Sequence, residues 1–158
     1  MELRILDNGV LQFDNVRLAH RNFAGRRTDF NEAGKRNFSV VIDDPEIADV
    51  LARQGWNVKI KQPRVEGEKP FMYLSVKVDF NGRGPAVYLR TGDSVVKLNE
   101  ETVECLDKIT IVNANLDVRP YDWSRPGASG RSAYLRAIEV YQEIDRFAPR
   151  FDNDNAPF

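Results

Sequence analysis

Seven short segments with alternating side chains constrain this chain more than any other feature. VLQFDNVRLAH (10–20), RNFSVVID (36–43), WNVKIK (56–61), FMYLSVKVDF (71–80), AVYLR (86–90), ITIVNANLDVRPYDW (109–123) and SAYLRAIEVYQ (132–142) are rich in β-branched and aromatic residues. That composition suits a pleated, half-buried surface. Between them lie FAGRRTDFNEAGK, KQPRVEGEKP, NGRGP and SRPGASG, dense in the glycine, proline, asparagine and aspartate that turns require. A chain punctuated in this way is expected to be mainly β.

One helix is marked clearly. Asp44 stands where an N-cap belongs, Pro45 at the first helical position and Glu46 in the first turn, with Ile47, Val50 and Leu51 spaced for one buried stripe before Gly55 stops it. A second, shorter helix is expected from Asn99 to Asp107, where NEET offers a cap-like start. Five or more strands with one or two short helices in 158 residues fit one small barrel domain. The five-stranded Greek-key barrel of the oligonucleotide-binding type and an antiparallel sandwich both satisfy this pattern, and periodicity does not separate them.

Catalysis finds little support. Cys105 and His20 are the only residues of their kinds, so neither an intrachain disulfide nor a Cys/His zinc site can be assembled, and no metal or cofactor is expected. Cys105, beside Leu106, reads as a small buried hydrophobe. GRGP at 82–85 is a turn and not a phosphate loop, and Asp43–Asp44 and Glu100–Glu101 suit helix N-termini. The chain is therefore not expected to be an enzyme. No apolar run approaches the ~20 residues that span a bilayer, and MELRILDNGV lacks the marks of a secretory signal. Residence in the cytoplasm is the expectation.

Because strand side chains alternate, each strand can be divided into two faces. In 71–80 one face is Met72, Leu74, Val76, Val78 and Phe80, and the other Phe71, Tyr73, Ser75, Lys77 and Asp79. In 115–123, Leu116 and Val118 oppose Arg119, Tyr121 and Trp123; in 56–61, Trp56, Val58 and Ile60 oppose Asn57, Lys59 and Lys61; in 86–90, Val87 and Leu89 oppose Tyr88 and Arg90. The non-core face repeatedly mixes rings with Lys or Arg. Single-stranded nucleic acid demands that mixture, since unpaired bases stack on rings and phosphates need cations. Taken singly, Tyr73, Tyr88 and Tyr134 are more readily cross-strand packing than ligand contacts; recurrence over several strands is what points to a ligand.

Two loops add to the pattern. Residues 20–36 carry Arg21, Arg26, Arg27, Lys35 and Arg36 with Phe23 and Phe30, and Gly25 and Gly34 allow the backbone to bend round a strand of DNA. Residues 119–136 read as a hairpin with Gly127 to Gly130 at its tip, between Arg125 and Arg131.

The end of the chain is of another kind. From Glu143 to Phe158 there are four acids (Glu143, Asp145, Asp152, Asp154) against two arginines, closing on FDNDNAPF, a run with too few apolar groups to offset its ordering entropy. Phe151, Asp152, Asp154, Pro157 and Phe158 resemble the C-terminal tip of bacterial and bacteriophage single-stranded-DNA-binding proteins. Asn153, Asn155 and Ala156 stand where those tips are often more acidic or larger. In the body, RNFAGR (21–26), IDDPEIADVLARQGWNVK (42–59) and VRPYDW (118–123) are similar to the phage-encoded members of that class.

The resemblance implies an oligonucleotide-binding barrel over residues 1–142, with extra strands or hairpins and one or two short helices, and a disordered acidic tail over 143–158. It also implies a function: binding single-stranded DNA without sequence preference in phage replication or recombination, while the tail engages partner proteins. Expected stacking residues are Phe71, Tyr73, Tyr88, Tyr121 and Trp123. Expected phosphate partners are Arg26, Arg27, Lys59, Lys61, Lys77, Arg90 and Arg119. A structural or protein-interaction phage module and a nuclease using carboxylate-bound magnesium are the rival readings, no membrane contact is expected, and the oligomeric state stays open, a homodimer included.

Overall fold

The computed structural model describes residues 1–144. The tail residues Phe151, Asp152, Asp154, Pro157 and Phe158 lie outside the described residues. The chain forms β1 (Glu2–Ile5), β2 (Leu11–Val16), β3 (Leu18–Asn22), β4 (Arg36–Ile42), α1 (Pro45–Arg53), β5 (Val58–Lys61), β6 (Phe71–Val78), β7 (Ala86–Thr91), β8 (Ser94–Leu98), a 3-10 turn (Val103–Asp107), β9 (Ile111–Arg125) and β10 (Ala128–Gln142). The mainly β expectation holds.

All ten strands share one sheet, in the order β1-β2-β9-β10-β6-β4-β3, with β5 on β6 and the β7–β8 hairpin on β10. β10 runs parallel to β6 and β7, and the remaining pairs are antiparallel. β2 pairs with β9 and β3 with β4, yet only Arg17 separates β2 from β3, and its carbonyl accepts from the Val41 N–H at 3.0 Å. The stretch expected as one strand over 10–20 is thus a single bent strand, kinked by register shifts in both pairings and by positive φ at Asn15 (55°) and His20 (50°). It joins the two ends of the path. Counting it as one strand, five strands close round a core of Leu11, Phe13, Phe38, Val40, Leu74, Val76, Leu116, Val118, Leu135 and Ile138.

α1 is capped as its sequence dictates: the Asp44 carboxylate accepts from the Glu46 N–H at 2.9 Å, and Ala48 and Leu51 are buried against the barrel end. Its last turn leads into Trp56, whose ring is buried.

Elsewhere the structure corrects the expectation. β1 and β8 were not anticipated, because ELRI and SVVKL are too short and too exposed to show a two-residue period. The second helix shrinks to the 3-10 turn at Val103–Asp107. Asn99 closes a turn of its own before it, its side chain accepting from Glu101 and Thr102 N–H at 2.9 and 3.0 Å. Strand 56–61 begins only at Val58, and Ile60, expected inside, is 55% exposed, because β5 is an edge strand covering just Phe71 to Leu74 of β6. The hairpin tip is Pro126–Gly127, with positive φ at Gly127; Ala128 to Gly130 already belong to β10.

Candidate nucleic-acid interface

The outward sides of β3, β4, β5, β6 and the hairpin half of β9–β10 form one surface. Register builds it. Val41, Tyr73 and Lys59 face one another across β4, β6 and β5, and Lys77 of β6 lies between Asn37 of β4 and Tyr134 of β10, which in turn faces Arg119 of β9. Inward, Met72, Leu74, Val76 and Val78 alternate with these residues and are buried. Burial of one face of β6 therefore fixes the presentation of the other.

The surface holds three ring clusters. Around Tyr73, the Phe71 ring lies at 5.4 Å, the His20 ring edge-on at 4.9 Å and the Lys59 ammonium at 6.0 Å, with His20 Nδ1 3.0 Å from the Ser39 hydroxyl. Around Tyr134, the Arg119 guanidinium lies over the ring at 4.7 Å, Lys77 at 5.6 Å and the Tyr121 ring at 5.9 Å. Toward the hairpin tip, Arg125 lies over Trp123 at 5.3 Å.

The Trp123 ring lies against Gly130, its cross-strand partner. A Cβ on Gly130 would stand 2.7 Å from Trp123 Cζ2, so only glycine fits beneath the ring.

Lys59, Lys61, Lys77 and Arg119 are exposed. Among the described residues none of the four has a carboxylate within ion-pair distance. Cations held over ring faces without an acidic partner keep their charge for a ligand.

Arg131 fixes the root of the hairpin. Its guanidinium donates to Asp122 at 2.7 Å and to the Gln54 carbonyl at the end of α1 at 2.9 Å, and lies over the Trp56 ring at 5.5 Å. The hydrogen bond from Arg131 holds the Asp122 carboxyl below its ordinary range. Trp123, Gly130, Gln54 and Gly55 line a cleft beside this anchor.

Two loops bracket the surface at opposite ends. The β3–β4 loop is rooted at Arg36, opposite Val78 at the far end of β6. β10 runs parallel to β6 with Ala133 beside Val76, so the β9–β10 tip projects past the Phe71 end.

Of the residues anticipated from sequence, Phe71, Tyr73, Tyr121, Trp123, Lys59, Lys61, Lys77 and Arg119 come together on this surface. Tyr88 and Arg90 do not. They lie on β7, against the far half of β10, where Arg90 Nε donates to Glu139 at 2.6 Å and its charge is already matched. Arg26 and Arg27 are exposed in the β3–β4 loop, and Arg26 pairs at 3.8 Å with Asp107, whose carboxylate is buried and accepts from the Phe23 and Ala24 N–H groups. Phe23 is a core residue, stacked on Phe38 at 5.0 Å, and not a loop contact.

Sequence reasoning missed His20 and left Tyr134 as packing. Tyr134 had a signal, a ring beside Arg136 in an alternating strand, but its cations arrive from β6 and β9. His20 had only its uniqueness, because the bulge that turns it outward is set by pairing.

The family model of the phage ssDNA-binding domain matches residues 3–155. Solved structures that share the fold include three of one bacteriophage protein. The single-stranded DNA-binding protein from bacteriophage Enc34 aligns with a TM-score of 0.58 at 12% identity over 98% of this chain and 93% of that one. Its C-terminal truncation gives 0.58 at 12% over 89% and 90%, and its complex with ssDNA gives 0.55 at 13% over 92% and 93%. No curated protein matches. A family model that runs almost the length of the chain, over a barrel whose outer face carries unneutralised cations on rings, leaves one conclusion: the chain belongs to the phage ssDNA-binding domain family.

Proposed function

We propose that this protein binds single-stranded DNA without reading its sequence, on the outer face of an oligonucleotide-binding-type barrel, during phage DNA replication or recombination in the host cytoplasm. One observation carries the reading: Tyr73, Tyr134, Tyr121 and Trp123 share one surface with Lys59, Lys77 and Arg119, bracketed by a loop at each end. The Enc34 protein solved with ssDNA has the same fold and supports the assignment. The closed five-strand path with its one parallel closing pair, β6 on β10, supports the barrel type. Stacking on sequence-tolerant rings contributes about 1–3 kcal/mol per base. Cations add a salt-dependent term, with log K falling by about 0.7 per neutralised phosphate for each decade of salt.

The segment 143–158 has a separate role in this proposal. The Phe158 ring, with the carboxylates of Asp152 and Asp154, offers an apolar knob and anionic groups to a basic-rimmed pocket on replication or recombination proteins.

Titration of the intrinsic Trp emission with oligo-dT, at low and at moderate salt and against a duplex of equal length, tests the DNA reading. Quenching with a negative salt slope and little duplex binding is the expected result. Absence of binding at low salt would refute it.

A further inference from the structure

The β3–β4 loop presents one ring that the surface described above does not include. Phe30 is 99% exposed, whereas the other exposed large hydrophobics among the described residues lie between 37% and 58%. An aromatic side chain left wholly in water forgoes its burial free energy unless something else covers it.

This ring does not hang on a slack loop. Thr28 and Asn31 form a two-residue bridge, with the Thr28 N–H donating to Asn31 O at 2.9 Å, so that Asp29 and Phe30 make a tight turn at its end. The Phe30 N–H donates to the Thr28 hydroxyl at 3.2 Å. Beneath the turn, Asn31 Nδ2 lies 2.9, 3.0 and 2.9 Å from the carbonyls of Arg26, Glu32 and Lys35. At the root, the Gly34 N–H donates to Gly25 O at 2.8 Å; a Cβ on Gly25, whose φ is +69°, would stand 3.1 Å from the Gly34 carbonyl carbon.

The loop is also joined to the ring-bearing surface. Asn31 Oδ1 accepts from Asn37 Nδ2 at 2.9 Å, and Asn37 faces Lys77, the neighbour of Tyr134. Beside the turn Arg27 is exposed, and Lys35, also exposed, pairs with Glu32 at 3.3 Å. A turn whose backbone is held in this way, at the edge of a surface suited to stacking, has its backbone ordering entropy met before any ligand arrives.

We infer that Phe30 stacks one further base of the bound strand, beyond those taken by the barrel, and that Asn31 is the positioning residue that holds the ring there. This rests on the single-stranded-DNA reading above. A base is the fitting occupant because the turn carries Arg27 as an exposed cation and joins, through Asn37, a surface of rings and cations.

The test is affinity for oligo-dT of the full chain carrying Phe30→Ala, Phe30→Tyr, Asn31→Ala or Phe30→Ala with Asn31→Ala, with Tyr73→Ala alongside. Because Phe30 is wholly exposed, its replacement leaves folding intact. Phe30→Ala is expected to weaken binding about 5- to 150-fold, the range of one stacked base, with the salt slope unchanged since no cation is lost. Phe30→Tyr should restore affinity, and Asn31→Ala should weaken binding only when Phe30 is present.

Unchanged affinity in Phe30→Ala while Tyr73→Ala is impaired would overturn this inference alone. Equal effects of Asn31→Ala with and without Phe30 would overturn the positioning role. Failure of the unmodified chain to bind would overturn the single-stranded-DNA reading as well.

Discussion

On the hairpin side of Arg136, the outer face of β9–β10 sets Arg119 and Lys77 over Tyr134, and among the described residues neither cation has an acid within ion-pair distance. Beyond Arg136, the same face sets Arg90 over Tyr141 at 6.0 Å and gives Arg90 to Glu139. Both halves combine rings with cations, and the difference is one carboxylate. Glu139 also accepts from Tyr141 Oη at 2.8 Å and Asn115 Nδ2 at 3.0 Å. Burial pushes its carboxyl up, but these hydrogen bonds and that from Arg90 prevail and hold it below the ordinary range. Asp14 and Asp117 stand in the same depression with Tyr88. The far half is thus satisfied internally and repels phosphate, while the near half is left open to it. Ring and cation side by side are therefore not enough to offer charge to a phosphate; the cation must also lack a competing acid.

Breaking the two halves in turn should give the largest contrast. Tyr73→Ala with Tyr134→Ala is expected to cost about 2–6 kcal/mol of oligo-dT binding, one stacked base each, whereas Tyr88→Ala with Tyr141→Ala should change affinity by less than about threefold. Equal losses, measured by fluorescence anisotropy, would erase the distinction.

Gly130→Ala probes the near half through its support. The added Cβ must displace the Trp123 ring, so the Trp emission should shift and affinity fall about tenfold, or roughly 1.4 kcal/mol, while the thermal transition stays cooperative. An unaltered emission spectrum would place the ring elsewhere.

Glu139→Gln sharpens the comparison from the other side by unpairing Arg90. The ssDNA salt slope should steepen by up to about 0.7 as one cation becomes available. The variant should also lose part of the acid sensitivity of folding. A depressed carboxyl stabilises the fold fully above its unfolded pKa of about 4.3, and that stability disappears as pH falls through the lower folded value. Denaturant titrations between pH 7 and pH 3 would show the parent losing stability over that window and the variant losing less.

The smallest effect belongs to the tail. Removing Asp152 to Phe158 deletes two carboxylate side chains from a DNA-binding chain, so oligo-dT affinity should stay equal or rise a few-fold. A clear loss would mean that the segment contributes to the DNA site itself.

Much of this surface was legible in the sequence because the period of a strand is two. Once Leu74 and Val76 are inside, Tyr73 and Lys77 must be outside, and the same logic placed Arg119, Tyr121 and Trp123 together. What parity does not carry is neighbourhood. Arg90 looked identical to Arg119 because Glu139 lies 49 residues away and meets it only through the parallel pairing of β7 with β10. The register shift between Leu135 and Ala137 changes parity within β10, so one alternating pattern does not run through Tyr134 and Glu139. Phe23 and Phe30, seven residues apart in one loop, differ completely, since burial there depends on contact with Phe38 and not on local pattern.

Ultraviolet crosslinking of the full chain to oligo-dT, followed by mass-spectrometric assignment of the adducts, locates the DNA-bearing half of the outer face. Adducts are expected on Tyr73, Tyr121, Trp123 and Tyr134 and none on Tyr88 or Tyr141. Adducts concentrated on Tyr88 and Tyr141 would contradict it.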